Sequence, residues 1–419
     1  MKVLPTPDDA VLSLPRGARV LLPPGCGEPA ALVDALVRNA DRLEGIHIQG
    51  GYTVSDARWL DPELPFRWTT YHYTPKARAL EAEGRAHYAP IRYFDMLTEF
   101  APGGAQAADA ILVQVSEPDP GGRYFLGVSS SYPWPLAKKA PLVIAQINPL
   151  CPQTPGPEGF LTEADIDISC RAETPVLEYS KAKGTPEEAA IGRHIAALVE
   201  DGSTVQVGVG GVPEALMGFL KDHRDLALHS LLVDAGIDLI RSGAANARFN
   251  PVMPGCHELG EIMGSRALYG FVHQNRQIAL RSSEIVHNPL EIARRPKFVS
   301  VNSAIQVDLT GQVNAEWIGG RQVSSVGGAF DFLTGASLSP GGKGVIGLPS
   351  TAGKNGELSR IVTRLPEGTP VTIPRYLAHH VVTEHGAANL KGLNLEDRRR
   401  ALIAIAHPRH REALEKGAI

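Results

Sequence analysis

The sequence has little that would indicate a secreted, membrane-spanning or metal-binding protein. Its 4 cysteines, Cys26, Cys151, Cys170 and Cys256, are widely spaced, with no CxxC pair and no zinc-ligand spacing. Reduced thiols in a cytoplasmic protein are the simplest interpretation, so we expect neither disulfides nor a metal site. The N-terminal segment has no apolar signal-peptide core, and no run of about 18 apolar residues exists, so we expect no membrane segment.

The chain also lacks a large excess of charge of either sign, and it has few aromatic residues. A net charge of −4 gives no basic field to attract a phosphate backbone, which argues against nucleic acid as a partner. Only 6% of the residues are aromatic, whereas 43 glycines and 33 prolines favour many tight turns between strands and helices. The 419 residues are 43% hydrophobic, which is typical of a globular chain too long for one core, so we expect two domains.

A short internal repeat indicates how those domains are built. Residues 16–36 and 201–220 both predict a strand, a glycine-rich turn and a helix that opens on proline, which favours the first helical turn. Apolar runs such as 110–115, 142–146 and 299–301 are typical of buried parallel strands. We therefore predict an α/β fold of two tandem domains, 1–185 and 186–419, although chance similarity of two α/β segments is an alternative explanation of the repeat.

Three glycine-rich turns are candidate ligand-binding segments. The first follows a predicted strand and opens a helix, so its amides can hold a phosphate or an oxyanion, but an ordinary strand-to-helix turn explains it equally well. The other two contain Gly-Gly pairs that let a ligand approach the backbone, and the lysine after the second pair offers a cation or is simply a solvated turn residue. The candidate residues are Val209, Gly210, Gly211, Gly327, Gly328, Gly341, Gly342 and Lys343.

The stretch DLALHSLLVDAGIDLI, residues 225–240, predicts a strand that runs into a helix. His229 and Ser230 are the only polar side chains at the end of that strand. Asp234 and Asp238 follow at i, i+4 spacing, which puts them on one face of the helix. Any chemistry at this corner must use the imidazole or the hydroxyl group.

Motifs along the whole chain resemble the acetyl-CoA hydrolase/transferase family, which includes 4-hydroxybutyrate, acetate and butyrate CoA-transferases. The strongest matches lie in the C-terminal half, and GRAHYAPIRYFDM, AILVQVSEPDPGGRYFLGVS and VIAQINP extend the resemblance to the N-terminal half. The C-terminal motifs are NSAIQVDLTGQVNAEWIGG, SSVGGAFDF, GGKGVIGLPST, VVTEHGAANLKG and ALIAIAHP.

This resemblance implies two tandem CoA-transferase-like domains of the NagB/RpiA type, in a cytoplasmic homodimer without a metal. It implies coenzyme A, as acyl-CoA, and a small carboxylic acid or other acyl acceptor as the molecules that the protein binds. In the family a glutamate carboxylate attacks the thioester carbonyl, and an acyl-glutamyl anhydride and then a glutamyl-CoA thioester form. A carboxylate suits this chemistry because it is both a nucleophile and a leaving group.

The sequence departs from the family at two positions of that site. Alignment on the aspartates and the following Leu-Ile puts Ser230 at the glutamate position, whereas alignment on the His-Ser pair puts Leu231 there. An asparagine that contacts the thioester oxygen is replaced by His287, with Asn288 one residue on. The resemblance keeps the other parts: Gly328, whose amide completes the oxyanion site, and Glu384, a second acid at the active site.

Three interpretations of these departures remain open. The chain has lost the chemistry and binds CoA thioesters only, or Ser230 is the nucleophile with His287 as its base, oriented by Glu384 or Glu284. The second possibility predicts a hydrolase or an acyltransferase, because an acyl-serine is not activated like an anhydride. In the third, CoA transfer persists with a shifted acid such as Glu284 or Glu258 as the nucleophile.

Overall fold

The computed structural model describes residues 1–180 and 184–417, and contacts divide the chain into two units. Unit 1 comprises Met1–Ser180, Ser230–Asp234 and Glu258–His287, and unit 2 comprises Lys181–His229, Ala235–His257 and Asn288–Ile419. The predicted domains, 1–185 and 186–419, are consecutive segments, whereas the contact units are interleaved. The difference arises because two later segments pack on the first 180 residues.

The first 180 residues form strands that alternate with short helices. The strands are β1 (Lys2–Val3), β2 (Arg19–Leu21), β3 (His47–Gln49), β4 (Arg67–Thr70), β5 (Ala86–Tyr88), β6 (Ala110–Val115), β7 (Tyr124–Phe125), β8 (Val143–Ile147), β9 (Phe160–Leu161) and β10 (Ile168–Arg171). The helices are α1 (Pro7–Val11), α2 (Ala30–Arg38), α3 (Arg78–Ala82), α4 (Met96–Glu99) and α5 (Pro133–Ala137), with single 3₁₀ turns at Ala40–Arg42, Arg58–Leu60, Pro75–Ala77 and Glu163–Asp165.

A parallel sheet forms the centre of this part, in the order β1-β10-β8-β6-β2-β3-β4-β5. Every residue of β6 is buried, as its continuous apolar sequence predicts for a strand covered on both faces. Alternate residues of β6 belong to two cores, because successive side chains point to opposite faces: Leu112 belongs to the core that contains Trp68, and Val113 belongs to the core that contains Tyr132. The predicted α/β class is confirmed.

The rest of the chain repeats the same alternation. Its strands are β11 (Thr204–Val207), β12 (Ala227–Leu232), β13 (His257–Ile262), β14 (Ile278–Leu280), β15 (Phe298–Ser303), β16 (Gln306–Asp308), β17 (Val313–Asn314), β18 (Trp317–Ile318), β19 (Arg321–Gln322), β20 (Lys343–Gly347), β21 (Thr351–Ala352), β22 (Leu358–Ser359), β23 (Ile361–Val362), β24 (His380–Thr383) and β25 (Gly386–Asn389). Its helices are α6 (Pro186–Ala196), α7 (Gly211–Phe219), α8 (Ala235–Arg241), α9 (Arg266–Val272), α10 (Ser283–Val286), α11 (Pro289–Ala293), α12 (Ala329–Leu338), α13 (Leu395–Ile405) and α14 (Pro408–Lys416).

The second large sheet has the order β14-β13-β12-β11-β15-β20-β24-β25. Within unit 2, β11, β15, β20 and β24 are parallel, and β25 returns antiparallel to β24. The carboxyl ends of these parallel strands lie at one edge of the sheet, which is where α/β proteins place their ligands. Among the described residues, every helix is too short or too polar to span a bilayer.

Local sequence explains where key helices begin. Helix α6 starts at Pro186 after Thr185, whose hydroxyl accepts a hydrogen bond from the Glu188 amide while the Glu188 carboxylate accepts one from the Thr185 amide. In α7, a side chain at Gly211 would collide with that same carboxylate, which lies 1.9 Å from the ideal Cβ position. The first glycine turn therefore has a packing reason for at least one of its glycines.

Candidate active site

Ser230 lies in the last half of β12, a strand whose residues are all buried. Its φ angle is +70°, in the left-handed region that side-chain-bearing residues rarely adopt. Such a conformation costs on the order of 1–3 kcal/mol and persists only where the surroundings enforce it. The neighbouring His229 packs edge-to-face against Phe298 at 5.2 Å between ring centroids, so it is part of a packed core.

His287 ends the short helix α10 and is buried. Its Nδ1 atom is 2.9 Å from the Ser283 hydroxyl oxygen, and its ring stacks on Tyr93 with centroids 4.7 Å apart and 26° between the planes. These two contacts fix the orientation of the imidazole. Asn288 caps α11 by accepting a hydrogen bond from the Leu290 amide at 3.0 Å, so its side chain is used for local structure.

Glu384 follows β24 in unit 2 and is held by hydrogen bonds. Its carboxylate accepts hydrogen bonds from both the amide, at 2.8 Å, and the hydroxyl group of Ser350. The His385 Nε2 atom lies 3.5 Å away. Burial lowers the pKa of the Arg360 guanidinium, and the Glu384 carboxylate opposes that shift. Glu384 is thus held in place by Ser350 with the Arg360 guanidinium nearby, and its predicted contact with His287 stays a prediction.

The glycine turns of unit 2 occupy both ends of α12. Gly328 is the N-cap of this helix, and Gly327 before it has a φ of +52°. Gly341 and Lys343 come after the helix, which has 10 residues and a length of about 15 Å. The structure therefore does not bring the second and third glycine turns together, and their common role in CoA binding stays a prediction.

Lys343 has protein partners of its own. Its ammonium group donates to the Leu198 carbonyl oxygen at 2.8 Å and to a carboxylate oxygen of Glu200 at 2.7 Å. Lys343 lies at the beginning of β20, and Gly342 before it packs so closely that a Cβ atom would lie 2.2 Å from the Ala336 carbonyl oxygen. These contacts favour a structural role for Lys343 over a role as a ligand-binding cation. Its contact with CoA stays a prediction.

The acids that the sequence offered as shifted nucleophiles are both in ion pairs. Glu258 is buried and lies 2.9 Å from Arg281, which also lies 3.3 Å from Glu158. Glu284 is about half exposed and lies 3.7 Å from Lys139. Each of the two carboxylates therefore has a cationic side chain as its ion-pair partner.

Sequence reasoning missed a third acid in the same region, Glu261 in β13. Its carboxylate accepts a hydrogen bond from the Ser131 hydroxyl group, and its backbone forms an isolated antiparallel bridge with Ser129. Burial raises the pKa of Glu261 to about 8, and the hydrogen bond from Ser131 opposes part of that rise. The only signal in the sequence was a charged residue in the strand pattern HELGEI.

The buried tyrosines Tyr71 and Tyr132 and the partly buried Tyr93 lie near this carboxylate within unit 1. The Tyr71 and Tyr132 hydroxyl oxygens are 2.5 Å apart, and Tyr132 donates to the Leu22 carbonyl oxygen at 2.8 Å. Burial raises the pKa of Tyr71, Tyr93 and Tyr132 well above the usual range, and the charge of Glu261 adds to each shift. Because Tyr93 also stacks on His287, the tyrosines connect the imidazole with the carboxylate.

The described residues contain no group of three or more potential metal ligands. None of the four cysteines, all of which lie among the described residues, forms a disulfide, and three of them are buried. Burial raises the pKa of the Cys26 thiol to about 11, so it is not a thiolate near neutral pH.

Comparisons with known proteins agree over the whole chain. Residues 1–182 match the acetyl-CoA hydrolase/transferase N-terminal domain, and residues 264–418 match the C-terminal domain of the same family. The sequence is 40% identical over 414 residues to the 4-hydroxybutyrate coenzyme A transferase of Clostridium kluyveri, covering 98% of this chain and 96% of that protein.

Two solved structures are similar to this one. RipA from Yersinia pestis superposes with a TM-score of 0.92 and 31% identity, covering 99% of this chain and 96% of that one. A 4-hydroxybutyrate CoA-transferase from Porphyromonas gingivalis superposes with a TM-score of 0.84 and 32% identity, with the same coverage of 99% and 96%. With both domain models matched and a relative 40% identical along almost the entire chain, the protein belongs to the acetyl-CoA hydrolase/transferase family of enzymes.

Proposed function

We propose that the protein transfers coenzyme A between a small acyl-CoA thioester and a small carboxylate. The observation that carries this proposal is the 40% identity, over 98% of the chain, to a 4-hydroxybutyrate coenzyme A transferase. Acetyl-CoA with 4-hydroxybutyrate is therefore the first donor and acceptor pair to test. We also propose a cytoplasmic homodimer, as the family resemblance implies.

The chemistry of CoA transfer requires an activated acyl-enzyme. A carboxylate that attacks the thioester forms an anhydride, and the released CoA thiolate can attack the enzyme half of that anhydride to give an enzyme–CoA thioester. A serine ester cannot readily return its acyl group to a thiol. The proposed transfer reaction therefore needs a carboxylate, which neither Ser230 nor Leu231 supplies.

The N-terminus of α12 is the proposed binding site for the thioester oxygen. Backbone amides at a helix start point outward and carry partial positive charge, so the Gly328 amide is suited to stabilise an oxyanion. The first glycine turn, Val209–Gly211, opens α7 in the same manner and is a proposed CoA contact. Glu384, which hydrogen bonds from Ser350 hold in place, is proposed to polarise the bound acyl group.

Thioester hydrolysis through an acyl-serine is a second candidate, which the backbone of Ser230 favours. A nucleophilic serine in a hydrolase often lies on a strained backbone turn, and Ser230 has a φ of +70° in a strand. In this reaction the Ser230 oxygen bonds to the acyl carbon, its proton passes to His287, and the CoA thiol leaves with that proton. Water then cleaves the ester and releases the acid.

Intact-protein mass spectrometry after incubation with acetyl-CoA separates these reactions. A mass gain equal to a CoA moiety, with exchange of labelled carboxylate into acyl-CoA, is the result we expect for transfer. A gain equal to an acetyl group with release of free acid would instead support hydrolysis through Ser230. No adduct and no turnover, in protein that binds acetyl-CoA in calorimetry, would contradict both and leave a CoA-thioester-binding protein.

A further inference from the structure

We infer that Glu261 is the nucleophilic carboxylate of this enzyme, supplied from the strand next to the one in which the family glutamate is expected. This inference rests on the proposed CoA transfer.

The place of Glu261 follows from the pairing of β12 and β13, which are neighbours in the sheet. The Met263 amide donates to the Leu232 carbonyl oxygen at 2.9 Å. In a parallel pair this bond puts residue 262 beside residue 232, so Glu261 lies beside Leu231 and one residue from Ser230 in register. A carboxylate is thus present one strand away from the position at which the sequence lost one.

The surroundings of Glu261 differ from those of Glu258 and Glu284, the two acids that the sequence offered as nucleophiles. Among the described residues, Glu261 has no ion-pair partner, whereas Arg281 neutralises Glu258 and Lys139 lies near Glu284. Glu261 also keeps 8% of its surface exposed, while Ile262 next to it has 0%. An uncompensated carboxylate is costly to bury and is retained most often where it performs chemistry.

The hydrogen bonds around Glu261 hold it in one orientation. Ser131 donates to the carboxylate through its hydroxyl group, and its carbonyl oxygen accepts from the Ser283 amide at 2.8 Å. Ser283 in turn contacts Nδ1 of His287. The nucleophile and the imidazole at the former asparagine position are therefore joined through two serines.

The proposed reaction begins with ionised Glu261. One carboxylate oxygen bonds to the acyl carbon of the donor, and the C–S bond breaks to release CoA thiolate and leave an acyl–glutamyl anhydride. The thiolate then attacks the glutamyl carbonyl carbon, and the donor acid leaves as a carboxylate. The acceptor carboxylate attacks the resulting glutamyl-CoA thioester, and the same two steps in reverse give the new acyl-CoA and free Glu261.

The test is to trap the enzyme–CoA thioester and locate it in the sequence. Protein incubated with acetyl-CoA is treated with hydroxylamine, which converts a glutamyl thioester into a hydroxamate, and is digested with trypsin. The cleavage sites at Arg224, Arg241, Arg248, Arg266, Arg281 and Arg294 put the competing residues on separate peptides. Ser230 falls in 225–241, Glu261 in 249–266 and Glu284 in 282–294, and fragmentation separates Glu258 from Glu261.

We expect the hydroxamate at Glu261. A label at Glu258 or Glu284, or an acetyl group on Ser230, would overturn the inference; a label at another glutamate would leave CoA transfer standing. Labelled-carboxylate exchange without any trapped adduct would also overturn it. Absence of both exchange and adduct in folded protein would instead contradict the proposed function itself.

Variants give an independent readout. Glu261→Gln keeps the volume and an acceptor for Ser131 but removes the nucleophile, so exchange should fall by at least about 10³-fold. Glu28→Gln is the matched control, because Glu28 is also buried in unit 1 and accepts a hydroxyl hydrogen bond, from Thr53 at 3.0 Å. It should keep exchange within a few-fold. If both variants lose activity equally, or if folded Glu261→Gln keeps exchange, the inference is wrong.

Discussion

Glu261 and Glu384 are two glutamates in similar hydrogen bonds but in different surroundings. Each accepts a hydrogen bond from a serine hydroxyl group, Ser131 in unit 1 and Ser350 in unit 2. Glu384 lies near the Arg360 guanidinium, whereas Glu261 lies among tyrosines and burial raises its pKa. The neighbouring charge, more than the serine, therefore distinguishes the two carboxylates.

The family resemblance alone would have ranked these two acids in the opposite order. Glu384 lies in a motif that the family shares. Glu261 lies outside both matched family domains, because the N-terminal match ends at residue 182 and the C-terminal match begins at residue 264. The physical surroundings reverse this ranking, because burial raises the pKa of Glu261 to about 8. A carboxylate of higher pKa is the stronger nucleophile once it is ionised.

The largest expected effect concerns stability and pH. The folded-state pKa of Glu261, about 8, exceeds its ordinary value of 4.5, so its favourable contribution to folding is present below about pH 4.5 and is lost as the pH rises through 8. The loss amounts to about 5 kcal/mol. Glu261→Gln should therefore be more stable than the parent at pH 9 by several kcal/mol, and nearly equal to it at pH 4.

Urea denaturation of both proteins across this pH range measures the difference. The groups that face Glu261 are Tyr71, Tyr93, Tyr132 and Cys26, and burial raises the pKa of each of them. With all four uncharged below pH 9, the difference between parent and variant reports Glu261 itself. A difference that does not change with pH would show that Glu261 is ionised throughout.

The next effect concerns Glu384, which we expect to act as a positioning residue. Glu384→Gln removes the charge that accepts two hydrogen bonds from Ser350. A loss of about 1.4 kcal/mol of transition-state stabilisation by this charge would lower the rate roughly tenfold. Steady-state kinetics should show a lower kcat with little change in Tm. Unchanged turnover on acyl-CoA would remove Glu384 from the mechanism.

A smaller effect is expected at residue 230, where two substitutions separate the backbone strain of Ser230 from the chemistry of its hydroxyl group. Ser230→Gly relieves the φ of +70° and should stabilise the fold by about 1 kcal/mol, seen as a higher Tm. Ser230→Ala keeps the strain and removes the hydroxyl group, so CoA transfer through Glu261 should survive it. Loss of exchange in Ser230→Ala with normal folding would favour the acyl-serine reaction instead.

The smallest effect is expected at Glu284. Its carboxylate and the Lys139 ammonium group are each about half exposed and 3.7 Å apart. Exposed ion pairs of this kind contribute less than about 1 kcal/mol. The free energy of unfolding of Glu284→Gln should therefore stay within that range of the parent at moderate salt. A larger loss would mean that Glu284 has a structural role like that of Glu258.

Much of the fold could be predicted from local sequence. The continuous apolar runs became the buried strands β6 and β8, and the stretch 225–240 became β12 and α8. These features depend on neighbouring residues only. The glycine pair at 327–328 was recognised only as a candidate ligand-binding turn, and the structure adds that Gly328 is the N-cap of α12.

The carboxylate of the candidate site could not be predicted in this way. Glu261 differs from Glu258 through its partners, and Ser131 is 130 positions away in the sequence. Nor did the sequence indicate that Ser230 has a left-handed backbone, because serine has no intrinsic preference for it. Burial and long-range pairing decide which acid is reactive, and a single sequence does not specify either.

The interleaving of the units has a consequence for the synthesis of the protein on the ribosome. Ser130 and Ser131 complete their hydrogen bonds only with Arg281 and Glu261, which are 151 and 130 residues further along the chain. At about 5–20 residues per second, these partners emerge on the order of ten seconds later. The first 180 residues must therefore wait, with the serines and tyrosines of the candidate site uncovered, and a nascent chain stopped before residue 287 should remain accessible to proteases and chaperones.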